Sequence, residues 1–430
     1  MSLRTAAAPS DSLDRRRRTE REEGLFRRPA FARYFSAVAI GAFGTALTAV
    51  AMPVLVVGVL EADPFEVGIV AAAQFVPYAL LGLVAGVYVD RWRRQRVLVW
   101  ASIGRAVSLA LIPVLWLAGL LHVWVLVGLL LLFGSFAVFG FAATQSLLPQ
   151  IVERRALLAA NARLDQAEAA AQTAGPALGG GLVGLIGAPL AIAVDAVTYI
   201  VDAVLIAGAR ISESLECGRA ERSLRREIAE GLRWSYRHRT LTPLAWSTHV
   251  WFFANAAGLT VLAVFALRAL GLSPFAYGLL FAAGGAATLL GAAIASSTGS
   301  RFGAGAVVTC ARGLYPVAWA TIALIPDTGA AGTGALVALF AAFALQGFAA
   351  GVENANEMSF RQIVTPDALL GRVNGTLRSA NRTFAALGAI AGGTAASLAD
   401  LNAVLFGIAA VFATAFLIAL LSPVRTATAE

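Results

Sequence analysis

Long apolar runs recur along this chain from residue 33 to residue 422, each close to the ~20 residues a helix needs to cross the hydrocarbon core of a bilayer. Twelve can be read: 33–59, 67–89, 97–117, 122–145, 166–187, 189–209, 244–270, 275–297, 304–325, 333–355, 378–399 and 402–422. The pattern predicts an all-α polytopic membrane protein. The first run follows a polar, arginine-rich tail with no small-residue cleavage site after a short apolar core, so it reads as a retained span rather than a signal peptide.

The polar breaks alternate in character. One set holds the basic clusters: the tail DRRRRTEREEGLFRR, the loop RWRRQR, VERRALLAANAR, the stretch 210–243, Arg301, and the segment with Arg361, Arg372 and Arg378. The other set reads EADPFE, AGLLH, GAP, LSP and PDTGAAG, with only Arg268 near an edge. Arginine-rich short loops stay in the cytoplasm, so both termini are expected inside and the number of spans even.

The segment QIVERRALLAANARLDQAEAAAQTAGPALGG at 150–180 is echoed by QIVTPDALLGRVNGTLRSANRTFAALGAIAGG at 362–393, an offset of 212 to 213 residues. That is nearly half the chain. It predicts two six-helix pseudo-symmetric halves, 31–209 and 244–422, between a basic tail 1–30, a cytoplasmic linker 210–243 and a short C-terminal tail 423–430. Parallel repeats of this kind place a binding site between the halves near the bilayer midplane. In the linker, Leu224, Ile228 and Leu232 share a face among arginines, as an amphipathic helix on an anionic membrane surface would require.

Composition agrees: 59% hydrophobic residues, 13% charged and a mean hydropathy of +0.76 lie outside the soluble globular range. The net charge of +8 is spread as punctuation between apolar runs rather than clustered on one face, which argues against a nucleic-acid partner. Cys217 and Cys310 offer neither a disulfide framework nor a metal set, and His122, His238 and His249 have no metal partner at usable spacing. No cofactor is called for. A nucleophile beside a histidine, a metal-spaced carboxylate pair and a Gly-rich Lys loop are all missing, so neither an enzyme nor an ATP-driven pump is expected.

GVYVDRWRRQRVL at 86–98 closes the second run. Gly82, Gly86 and Asp90 fall at i, i+4, i+8, and Asp90 ends its helix where the macrodipole disfavours a negative charge, so it needs a partner. The pattern Gly86-x3-Asp90-Arg91-x2-Arg94-x-Arg96 resembles the loop motif of the major facilitator superfamily. The resemblance implies that Asp90 and these arginines latch the two halves, against the start of the eleventh helix. Arg93 stands where many members carry glycine. In TAGPALGGGL, Gly175, Pro176, Gly179 and Gly180 form a close-packing and bending element that resembles the superfamily's Gly-Pro-x-x-Gly-Gly antiporter signature. The second-half copy keeps Gly388, Gly392 and Gly393 but has Ala389 for the proline.

The chain from about Phe31 to Leu421 resembles bacterial exporters of the enterobactin and drug-efflux branch. Two positions depart: Gly44-Thr45 stands where many members carry an acid midway along the first helix, and the fourth helix lacks the arginine of many proton-coupled antiporters. Intramembrane ionisable groups are functional candidates by default. Asp195 and Asp202 share a face of the sixth helix, which in this superfamily supports the cavity rather than lining it. Glu353 and Glu357, with Asn354 and Asn356, lie on the tenth helix, which the resemblance implies does line it, so Glu353 is the first choice for proton or cation handling. Asn255, Gln74 and Gln346, among Trp251, Phe252, Phe253 and Phe343, are candidate substrate hydrogen-bonders. Arg105 and Arg312 occupy matching positions of the two halves and are expected in structural roles. The reading is a monomeric secondary-active exporter in the cell membrane, moving a small amphipathic molecule such as a drug or siderophore by alternating access. Proton antiport is expected. An importer or lipid flippase on the same fold is the alternative.

Overall fold

Proline and short polar caps decide where several helices begin, because a proline in the first turn has no N–H to leave unsatisfied. The computed structural model describes residues 24–209, 211, 213, 224–327 and 332–426, with the side chains at 83, 86, 87, 90, 91, 224, 225, 227 and 426 outside that description. Its helices are α1 Pro29–Val54, α2 Pro64–Ala73, α3 Val76–Arg91, α4 Arg94–Leu117, α5 Val123–Ile151, α6 Leu157–Ile186 and α7 Ala188–Gly208. After the linker come α8 Leu224–Arg237, α9 Leu241–Val264, α10 Pro274–Phe302, α11 Ala304–Ala323, α12 Thr333–Val364, α13 Asp367–Leu398 and α14 Leu401–Leu420. Prolines 29, 64, 77, 189 and 274 stand in first turns. Among the described residues there is no strand.

The second apolar run is one stretch in sequence but two helices in space. Pro77 cannot donate to the carbonyl four residues back, and the chain breaks at Gln74 and Phe75 between α2 and α3. Ten segments are long and apolar enough to cross a membrane by length and composition. The two long helices that miss that mark, α6 and α13, are the ones carrying the internal repeat. Their N-terminal halves are polar, with Arg163, Asp165, Gln166 and Glu168 in α6 and Arg372, Arg378 and Arg382 in α13. For the same reason they start at Leu157 and Asp367, well before the apolar runs that begin at 166 and 378.

In the first half α1 packs on α6 and α7, and α4 on α5 and α7; in the second, α9 packs on α13 and α14, and α12 on α10 and α11. The pseudo-symmetry reaches the helix ends. α1 ends in a π turn, Leu55–Val59, and α9 in another, Phe265–Ala269. Asp63 caps α2 by accepting from Glu66 N at 2.9 Å, and Ser273 caps α10 by accepting from Ala276 N at 3.2 Å. Glu61 takes a left-handed φ of 50° where the second half has Gly271 at 64°.

The halves meet along two matched seams, α6 with α10 and α2 with α13, and the second continues along α3, where a Cβ on Gly82 would come within 3.0 Å of Ser379 Oγ. A Cβ on Gly180 would come within 2.4 Å of the Pro274 carbonyl oxygen, and one on Gly278 within 2.2 Å of that of Pro176. Across the other seam, a Cβ on Gly393 would come within 2.5 Å of the Pro64 oxygen, and one on Gly68 within 2.6 Å of that of Ala389. Backbones this close leave room for hydrogen only. Gly175 and Gly179 face inward instead, against Ala46 and Leu47 of α1. The repeat motif therefore packs its own half with two glycines and grips the other half with the rest. On the α6–α10 seam these approaches run from Gln172 to Gly180 and from Pro274 to Gly285, toward the arginine-poor end of the bundle. Nearer the arginine-rich end, Asp165, Gln166 and Glu168 of α6 are exposed.

Candidate functional site

Between the halves lies a cavity of about 350 Å³. Its walls come from α1, α2, α5 and α7 of the first half and α9, α10 and α13 of the second. Met52, Val56, Phe133, Phe252, Leu259 and Phe281 make most of the wall apolar. The polar groups are few: Thr45, Thr48, Gln74, Asp195, Asn255, Thr260, Tyr277 and Arg382. An apolar chamber with a few placed polar groups suits a small amphipathic ligand.

Of the residues picked from sequence, Gln74, Asn255 and Asp195 line this chamber, and so does Phe252. Gln74 is there because the Pro77 break exposes it. Gln346 is buried behind Asn255, donating from Nε2 to its Oδ1 at 3.4 Å. Phe343 packs edge-on against Phe281, and Trp251 against Tyr315 and Phe412. Two expectations about helices are corrected. The sixth span, α7, contributes Asp195 to the wall, whereas none of the described wall residues comes from the tenth span, α12.

Asp195 is 1% exposed. Thr48 donates to its Oδ2 at 2.5 Å and Thr198 to its Oδ1 at 2.9 Å. The carboxylate fits because position 44 is glycine: a Cβ there would stand 2.2 Å from Asp195 Oδ1. A carboxyl is thus supplied from α7 to the place midway along α1 where the sequence lacks one. Asp202, two turns away, points to a different partner set. Ser102 donates to its Oδ2, and Arg105 Nη2 lies 4.0 Å from that oxygen. Arg105 also donates to Ser102 at 3.0 Å and covers the ring of Tyr199 at 4.4 Å.

Arg312 is the matching group of the second half and is more deeply enclosed, 1% exposed. Its Nε donates to Glu353 Oε1 at 2.8 Å, and its Nη2 to Thr248 Oγ1 at 2.6 Å and Glu357 Oε2 at 3.0 Å. Nη1 donates to Ser247. Glu353 is therefore held in an ion pair behind the wall of the chamber. Asn354 is exposed, while Asn356 is buried and donates to the carbonyl oxygens of Ala295 and Val352 at 3.0 and 2.8 Å. His249, which the sequence left without a role, bridges Asn381 of α13 at 2.6 Å and Tyr236 of α8 at 2.7 Å. The linker helix is further tied to α13 by the Glu230–Arg372 pair.

The backbone of α3 runs to Arg91, but the side chains of Asp90 and Arg91, and position 86, lie outside the described set. Arg93 has φ −68° and ψ 111°, an extended conformation open to any residue, so the turn needs no glycine. Arg94 and Gln95 present their backbone N–H groups to the Glu213 carboxylate at 2.7 and 2.8 Å. This acid on the N-terminus of α4 satisfies orphan donors and complements the helix dipole. Arg96 is exposed.

The sequence reading missed Arg382, which the structure places in the cavity wall. The signal was available as an arginine one turn inside the eleventh apolar run. Ala169 stands at the equivalent register of the first half.

A family model described as transmembrane secretion effector matches residues 24–430. An uncharacterised MFS-type transporter of Mycobacterium tuberculosis is 37% identical over 100 residues, which make up 23% of this chain and 22% of that protein. The multidrug efflux pump Tap of the same species is 30% identical over 225 residues, 51% of this chain and 53% of Tap. The chain thus spans from about a fifth to about half the length of the curated relatives it matches. Among solved structures, the nucleoside transporter NupG superposes with a TM-score of 0.71 at 12% identity, covering 91% of this chain and 98% of that one. A bacterial homologue of the iron transporter ferroportin, in an inward-facing state, gives 0.70 at 16% identity, with coverage of 91% and 98%. At these identities the likeness is one of fold.

Proposed function

Because the chain belongs to the transmembrane secretion effector family and has the major facilitator fold, we propose that it exports a small amphipathic molecule, such as a drug or siderophore, in exchange for protons. The family and fold are those of multi-pass membrane transporters, not enzymes. Export is the finer reading, and the relation to Tap favours it.

The observation that carries the mechanism is Asp195 in the wall of the inter-half cavity. It lies against Gly44 and has two hydroxyl donors but no ion-pair partner among the described residues. A carboxyl held by hydroxyls can gain and lose a proton without stranding a buried cation, which Glu353 cannot do beside Arg312. We therefore assign the proton to Asp195. With the termini and arginine-rich loops in the cytoplasm, the seams seal the outer end and the cavity belongs to the inward-facing state. Alternating access then parts the outer seams and closes the inner end, where Asp90, with Arg91, Arg94 and Arg96, serves as the latch. A monomer suffices for this cycle.

The test is dye efflux from cells stripped of other exporters. Cells expressing the protein should accumulate less amphipathic dye than empty cells, collapse of the proton gradient should abolish the difference, and Asp195→Asn should bind dye but not pump it. Equal or greater accumulation in expressing cells overturns export. Full pumping by Asp195→Asn overturns the assignment of the proton.

A further inference from the structure

Arginines inside this bundle fall into two kinds. Arg312 and Arg105 are surrounded by acceptors: two carboxylates and two hydroxyls for the first, Asp202, Ser102 and the Ala101 carbonyl for the second. That is how a guanidinium taken out of water is ordinarily compensated. Arg382 is the other kind. It lines the cavity and is only partly exposed, yet the described residues give it neither a hydrogen bond nor an ion pair. Its contacts are the faces of Phe75 and Tyr78, whose ring centroids lie 5.5 and 5.4 Å from Cζ.

Those two rings belong to the opposite half, at and just after the Pro77 break. Cation–π contact is worth roughly 0.5–2 kcal/mol and does not spend the five N–H donors of the guanidinium. One turn along α13, Arg378 repeats the arrangement over Phe141 at 4.2 Å. Two arginines at i and i+4 thus mark a positive track from the arginine-rich end to the chamber. Near its upper end is a further polar group, Gln74, exposed and in the wall of the same chamber. A planar fork of donors set against two aromatic rings, opening on an apolar chamber, matches a carboxylate or phosphate on a hydrophobic body.

Building on the export reading, we infer that Arg382 is an anion subsite, and that the transported molecule is an amphiphile bearing an acidic group. Its acidic end docks on Arg382 and its apolar body lies among Phe252, Phe281, Leu259 and Met52. Any basic group it carries faces the Asp195 side, where it competes with the proton. The substrate class is therefore amphipathic acids and zwitterions rather than simple lipophilic cations.

Four dansyl probes of similar length separate these classes: N-hexyl dansylamide (neutral), dansylcadaverine (cationic), dansyl-6-aminohexanoate (anionic) and Nε-dansyl-lysine (zwitterionic). Binding to the full-length protein in nanodiscs is read from dansyl emission. The two probes with a carboxylate should bind at least about tenfold more tightly than the neutral and cationic ones, the scale of one charge-assisted pair. Arg382→Gln should erase that preference while leaving the Kd of N-hexyl dansylamide unchanged, which shows the chamber intact, and Arg382→Lys should keep most of it. Preference for dansylcadaverine, or equal weakening of all four probes by Arg382→Gln, overturns the inference. If all four bind with the same Kd regardless of charge, the subsite fails, while export stands or falls separately on dye accumulation in expressing cells. If none binds, the inference falls and export is decided by the cell assay alone.

Discussion

Arg268 of the second half reaches across to the first and donates from Nη2 to the carbonyl oxygen of Ala62 at 2.9 Å, with that of Val57 at 3.3 Å. Val57 lies in the π turn that ends α1 and Ala62 in the loop just after it, where the helical ladder has run out and carbonyls are to spare. The bond ties the ends of α1 and α9 together above the cavity. A charged donor to a carbonyl is worth about 1.5–3 kcal/mol net, enough to bias a two-state equilibrium by tenfold or more. Arg268→Ala should therefore favour outward opening. With Cys217 and Cys310 replaced by serine, a cysteine at Ala263 should react about tenfold faster with an impermeant reagent added outside. An unchanged rate would remove Arg268 from the gate.

The seams make a steric prediction. Gly180→Val and Gly393→Val each drive carbons into a backbone of the opposite half, so each variant should fail to bring its seam together. Transport should fall at least tenfold with membrane abundance retained. Gly184→Val, on the same helix as Gly180 but with nothing within 4 Å of its would-be Cβ, should transport normally. Comparable losses in all three would point to helix propensity rather than the seam.

Removing Arg312 leaves Glu353 buried without its cation, whereas Glu357 keeps Arg361 at 3.8 Å; an unpaired buried charge typically costs about 3–5 kcal/mol. Arg312→Met should lower Tm by several degrees in detergent, and adding Glu353→Gln to it should restore part of the loss. A double variant no more stable than the single one would mean that the pair is not energetically coupled.

Outside the spans, the tail is pinned to the loop after α5: Arg28 Nη2 lies 2.6 Å from Glu153 Oε1 and Arg155 Nε 2.5 Å from its Oε2. Hydrogen bonding from Arg28, then from Arg155, holds the Glu153 carboxyl below its ordinary range. A depressed carboxyl contributes stability that is complete above its unfolded pKa, about 4.3, and is lost as pH falls through the folded value. The Tm advantage of the wild type over Glu153→Gln should be flat from pH 7 to about 5 and shrink below about 4. An advantage that grows in acid would reverse the sign of this argument.

Much of the fold is legible in the sequence because burial in lipid imposes a simple rule: about twenty apolar residues per span, with arginine breaking the runs. The repeat at 150–180 and 362–393 showed the two halves, since glycines at fixed spacing must meet close neighbours. Which neighbour was not legible. Gly175 packs on its own half and Gly180 on the other, though five residues separate them, because adjacent faces of one helix look in different directions.

The site divides in the same way. Sequence alone determined that this is an apolar bundle of two related halves with ionisable groups inside it, and it supplied Gln74, Asn255 and Asp195 as candidates. Only the tertiary structure decided which charges are spent and which face the cavity. Glu353 and Arg312 lie 41 positions apart and neutralise one another; Asp195 fits because a glycine on another helix makes room; Arg382 faces aromatic rings in place of an acid. A local pattern records what each side chain is, but whether a buried charge finds its partner depends on contacts between distant segments, and those exist only once the helices have packed.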